Sequence, residues 1–236
     1  MRRLLPYLTL LLTLTFAASA WVTPFPGFRN DALPIPQPDP LIQPADWAFA
    51  VWGVIFAWLI GSAVFGVIAR RDDAAWDEAR VPLCLSLLFG TPWLLLAKHS
   101  AVLATIDIVI MLVFALAAML RAPRRDIWWL ALPVGLYAGW LTAASFVALA
   151  ITSAGFGLIF GSLGWAWAGL ILALTVALLV LEARPWIVTY AVTVAWALIG
   201  ILAKDAFAHP LYSAVALLGI LALALVAFRG QSPRRA

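Results

Sequence analysis

The chain has 236 residues, 65% of them hydrophobic and 11% charged, with a mean hydropathy of +1.03. That balance excludes a soluble globular domain and predicts an all-α, polytopic bundle of transmembrane helices. The formal charge of +4 is no sign of nucleic-acid binding: the basic residues stand in short runs beside apolar segments, where they orient a protein in a bilayer.

Residues 1–20 open with Arg2 and Arg3, continue as an apolar run and close on Ala18, Ser19 and Ala20. The pattern fits a secretory signal peptide, and it fits equally a first transmembrane helix anchored by the two arginines. Residues 21–43 follow as a loop, because Pro24, Pro26, Pro34, Pro36, Pro38 and Pro40 rule out regular helix. The loop nevertheless carries Trp21, Phe25, Phe28, Leu33, Ile35, Leu41 and Ile42. Such residues suit a lid over a pocket, or aromatic anchors at the bilayer boundary.

The stretch from Pro44 to Ala69 organises the chain. Asp46 is placed to cap the first turn, and no charge follows from Trp47 to Ala69. At 1.5 Å per residue that run crosses a hydrocarbon core of about 30 Å. Phe49, Trp52 and Phe56 fall at i, i+3 and i+7, so a helix puts three rings on one face. They are either packing residues or one wall of an aromatic pocket.

Residues 69–80, ARRDDAAWDEAR, are expected as a charged loop. A third span at about 81–97 contains Gly90, Thr91 and Pro92 and should kink there. Its Cys84 excludes an internal disulfide and a cysteine zinc site, since it is the only cysteine. A fourth span at about 101–120 holds Asp107, a carboxylate well inside an apolar run. An acid there is costly, and it either relays protons, meets a ligand or ties helices together. Ile127 to Leu181 carries no charge and is too long for one span, so it must turn, at the glycine cluster 152–164. Spans at about 127–151, 163–181, 186–203 and 211–228 complete a count of eight.

With the N-terminus inside, twelve of the fifteen basic residues fall in inside segments and only Arg29, Lys98 and Lys204 fall outside. This alternation supports both the span count and cytoplasmic N- and C-termini. The expected location is a bacterial inner (plasma) membrane. His99 and His209 stand at outer turns without metal-ligand spacing. No phosphate-loop, zinc-protease or serine-triad pattern is present, which does not favour an enzyme.

Several motifs in order resemble the TspO/MBR family, the tryptophan-rich sensory or translocator proteins. Entering the second helix, that family has Trp-x-Phe-Pro-x-x-Trp; here Trp47, Phe49 and Trp52 stand one residue tighter and without the Pro. Gly90-Thr91-Pro92-Trp93 keeps the Trp of the family's third-helix Asn-x-x-Trp. Pro133, Tyr137 and Trp140, followed by Ala143, Ala144, Ser145 and Phe146, follow its fifth helix. The resemblance covers residues 1–152, a five-helix bundle with the loop 21–43 as its lid, and it requires the first helix to be retained. Residues 153–236 would add three helices and a basic tail, as in longer variants of the family.

The resemblance implies a receptor- or sensor-like protein that binds a flat hydrophobic ligand, a porphyrin or haem-type tetrapyrrole or a sterol-like lipid. No cofactor is required. The implied ligand-binding residues are Trp47, Phe49, Trp52, Trp93, Tyr137 and Trp140. The residues themselves agree in kind: Trp52, Trp93 and Trp140 offer ring faces on three helices, and a macrocycle needs such faces and a few polar groups. Two other classes stay open. One is a small-molecule or proton-coupled transporter using Asp107 and the kinked third span; the other is an accessory subunit of a larger membrane complex. Expected partners are membrane lipids, the hydrophobic ligand, and a second copy or a complex partner, with no nucleic acid.

Overall fold

The computed structural model describes residues 2–23 and 33–231. Phe25, Phe28 and Arg29 of the loop, and Arg234 and Arg235 of the tail, lie outside the described residues. Eight α-helices make up the described fold: α1 Leu5–Val22, α2 Val51–Ala69, α3 Ala74–His99, α4 Ala101–Arg121, α5 Ala131–Gly155, α6 Ser162–Ala183, α7 Val188–Asp205 and α8 Pro210–Gln231. Each is long and apolar enough to cross a membrane. The protein is therefore a multi-pass helical membrane protein.

Successive helices run antiparallel, which gives the bundle two ends. At one, the proline-rich loop meets the end of α5, where the Ile35 amide donates to the Gly155 carbonyl at 2.8 Å. The other end is basic and carries Arg70, Arg71, Arg80, Arg121, Arg124, Arg125 and Arg184. The ends are called here the loop end and the basic end.

Helix α5 is the central element. It packs against α2, α4, α6 and α7, while α3 joins α1 to α4 and α8 closes against α6 and α7. Its sequence explains this position. Without a hydrophobic force to drive helices together in lipid, close approach depends on small residues and on hydrogen bonds between helices. At Gly139 a Cβ would stand 2.5 Å from the Tyr190 carbonyl oxygen, so α7 lies directly on the α5 backbone. Hydroxyls then tie the neighbours: Thr142 to Tyr190 at 3.0 Å, Thr105 to Thr152 at 2.8 Å, and Ser86 to Tyr137 at 2.9 Å. Ser145 donates to the Ile108 carbonyl at 3.2 Å.

Two expectations about helix starts are corrected. Residues 74–80 are the first two turns of α3 rather than loop, and Asp73 caps them by accepting from the Ala75 amide at 3.1 Å. Charge marks this stretch as surface in a sequence, yet Arg80 is 1% exposed. It donates to Asp77 at 2.7 Å, to the Gly66 carbonyl at 2.9 Å and to the Arg70 carbonyl at 2.8 Å, and stacks on Trp76. These bonds satisfy carbonyls at the end of α2 that have no partner within the helix. At the other end of α2, Asp46 makes no side-chain cap; the chain enters through a 3-10 turn, Asp46–Ala50, that precedes the helix.

That turn is held from outside. Trp196 of α7 donates its indole N–H to the Ala48 carbonyl at 2.8 Å, and the Ala45 amide donates to the Gly200 carbonyl at 3.0 Å. Lys204 reaches the Pro40 carbonyl at 3.0 Å and pairs with Asp39 at 2.6 Å. Leu33 and Ile42 are buried, Leu33 over Gly155 of α5 and Ile42 over Gly169 of α6. The described part of the loop is thus fastened by α5, α6 and α7.

Candidate functional site

An aromatic cluster fills the space between α1, α2 and α5. Its floor is Phe16 of α1, whose ring meets Trp52 at 5.8 Å, Phe56 at 5.3 Å and Tyr137 at 5.8 Å, each edge-on. Trp52 and Phe56, one helical turn apart, stack at 5.2 Å. One turn nearer the loop end on α5, Trp140 meets Trp52 at 6.2 Å and Phe49 at 5.5 Å, both close to perpendicular. Edge-to-face pairs of this kind are each worth about 0.5–1.5 kcal/mol beyond their burial. The floor is sealed, with Tyr137 0% and Trp140 2% exposed, whereas Phe49 is 40% exposed at the mouth.

The sequence-predicted residues divide. Phe49, Trp52, Tyr137 and Trp140 come together in one cluster. Trp47 turns away from them and meets Trp196 of α7 at 5.0 Å. Spacing accounts for this: Trp47 and Trp52 are five positions apart and would point about 140° apart even on a regular α-helix, so they share no face. Trp93 is fixed on the α3–α4 side, where its indole N–H donates to the Ala104 carbonyl at 2.9 Å. Asp107 is 7% exposed in α4, one turn closer to the basic end than Ala104. Sequence reasoning missed Phe16 and Trp196. Phe16 lay in a stretch that a signal peptide also fits, and Trp196 acts on a turn 148 positions away.

The polar chemistry of the site is sparse. Tyr137 is tied to Ser86, which donates on to the Met111 carbonyl at 2.8 Å. Two buried polar atoms near the cluster have no hydrogen-bond partner among the described residues: Trp140 Nε1, a donor, and Asp107 Oδ2, an acceptor. Buried polar groups are as a rule paired, so each such atom calls for an explanation. His99 bonds the Leu95 carbonyl and His209 bonds Asp205. No group of three or more His, Cys, Asp or Glu that could hold a metal occurs among the described residues.

An eight-helix membrane bundle with an aromatic cluster between α1, α2 and α5 defines the class. The chain belongs to the family of TSPO-like proteins, whose family model matches residues 3–229. That match takes in all eight helices. No curated protein and no solved structure matches the chain.

Proposed function

We propose that the protein is a receptor- or sensor-like binder of a flat hydrophobic ligand, a tetrapyrrole or a sterol-like lipid, held against Phe49, Trp52 and Trp140. The observation that carries this reading is the indole N–H of Trp140. It is buried and unpaired beside two rings whose faces stand perpendicular to its own. A planar ligand needs ring faces to lie on and a donor to fix its orientation, and this corner supplies both. The half-exposed Phe49 and the fastened loop support an entry at the loop end. The bias of basic residues toward the opposite end supports reading that entry as the outer face of a bacterial inner membrane.

The test is quenching of tryptophan fluorescence by protoporphyrin IX in the purified, detergent-solubilised chain. Trp140→Ala and Trp52→Ala are each expected to weaken binding about tenfold or more, as loss of a ring anchor does elsewhere. Unchanged quenching in both variants would remove the reading. A second reading, small-molecule or proton-coupled transport, rests on the buried, unpaired Asp107 within a span. It requires that liposomes holding the protein show a substrate-linked proton flux that Asp107→Asn abolishes.

A further inference from the structure

Asp107 and Trp140 leave one acceptor and one donor unpaired on facing helices, and their positions relate them to the same floor. On α4, Met111 sends its methyl group against Gly90 of α3, where a Cβ would stand 2.9 Å from it and 2.8 Å from the Phe16 ring. Asp107 precedes Met111 by one turn on the same face of α4, nearer the loop end. Trp140 follows Tyr137 by one turn on α5, also nearer the loop end. Phe16 and Tyr137 are themselves in contact at 5.8 Å. Both unpaired atoms therefore belong to residues on the loop-end side of the Phe16–Tyr137 floor, Asp107 on α4 and Trp140 on α5.

A carboxylate buried in a membrane span is expensive unless a cation or strong donors meet it. Among the described residues no lysine, arginine or histidine pairs with Asp107, and its Oδ2 accepts from nothing. The missing partner is then supplied by what enters the site. We infer that the ligand is a flat apolar molecule carrying a protonated nitrogen, which Asp107 receives, with an acceptor on its opposite side facing Trp140 Nε1. The inference rests on the aromatic site proposed above and narrows it from flat hydrophobic molecules to cationic ones.

Two probes of nearly the same shape separate charge from stacking: 9-aminoacridine, cationic at neutral pH, and acridine, mostly neutral there. Binding of both to the full chain in detergent is followed by tryptophan quenching. The wild-type protein is expected to prefer 9-aminoacridine. Asp107→Asn should weaken that probe by about tenfold or more, the scale of losing one partner of a buried charge pair, and leave acridine unchanged. Asp107→Glu should keep the preference. Retained acridine binding also certifies that the Asn variant is folded.

If Asp107→Asn binds both probes as the wild type does, the inference fails and the aromatic site stands. If it weakens both equally, Asp107 is a packing residue and the inference fails likewise. If neither probe quenches the wild-type protein, the inference fails, and the aromatic site falls with it only if protoporphyrin IX does not quench either.

Discussion

Trp196 of α7 donates its indole N–H to the carbonyl of Ala48, 2.8 Å away, and Trp47 lays its own ring edge-on against the same Trp196 at 5.0 Å. One residue of the seventh helix thereby fixes the turn through which the chain enters the second. Phe49 and Trp52 follow directly on that turn, so the geometry of the aromatic cluster depends on a helix outside it.

Trp196→Phe keeps a ring and removes the donor. The lost bond is worth about 1 kcal/mol, and the Ala48 carbonyl, in a fully buried residue, is left unpaired. Hydrogen exchange of amides 45–52 should accelerate while the α3–α4 pair stays protected. Uniform acceleration across the bundle would instead mean that Trp196 supports global packing.

Arg80 is the second anchor. Removing it leaves Asp77 and the carbonyls of Gly66 and Arg70 without their donor at a buried position. Breaking one side of such a network costs about 3–5 kcal/mol. Arg80→Met is therefore expected to lower the thermal midpoint in detergent by many degrees, whereas Arg71→Met, at an exposed side chain, should change it little.

Acid stability should report the Arg70–Asp126 pair. Arg70 donates to Asp126 through Nε at 2.6 Å and Nη2 at 3.0 Å, and these bonds hold the Asp126 carboxyl below its ordinary range. Folding lowers this pKa, so the pair stabilises fully above the unfolded value of about 3.9 and its contribution is lost as pH falls through the folded value. Asp126→Asn should lower the melting temperature at neutral pH, with the difference from wild type shrinking below about pH 4. Asn tolerates the left-handed backbone that Asp126 adopts, φ 57°, so the comparison isolates the charge. A difference that persists unchanged at low pH would show that the ion pair is not its source.

The eight spans and their alternating direction are legible in the sequence, because apolar runs near twenty residues and basic residues at alternate ends are direct consequences of the bilayer. The family motifs grouped Trp52 and Trp140 with Trp93 on a third helix, and of these Trp52 and Trp140 meet while Trp93 bonds the Ala104 carbonyl on the α3–α4 side. Other features were not legible. Arg80 and Asp77 read as loop because charge normally marks exposure, and only the fold supplies the carbonyls that make burial of an arginine tolerable. Trp47 was grouped with Trp52 by its place in the family motif, although residues five positions apart do not share a helix face. The fastening of the loop by Trp196 and Lys204 has no local signal at all, since its partners are backbone carbonyls more than a hundred residues away.

Two glycine substitutions separate helix propensity from helix contact. At Gly139 a Cβ would stand 2.5 Å from the carbonyl oxygen of Tyr190 and 3.1 Å from the Thr193 Cβ. The first is backbone and cannot swing aside, so α5 and α7 must part, and with them the Thr142–Tyr190 bond. Gly139→Val is expected to cost about 1–3 kcal/mol or more by overpacking. At Gly53, inside α2, nothing lies within 4 Å of the added atom. There Gly→Ala should raise stability by up to about 1 kcal/mol, the helix propensity difference alone. The two variants are compared by thermal unfolding in the same detergent. If both destabilise alike, or neither does, then the close α5–α7 contact is not what sets the cost. If only Gly139→Val unfolds early, and it also frees the turn that Trp196 holds, α7 is the element through which the core helix and the aromatic entry share their stability.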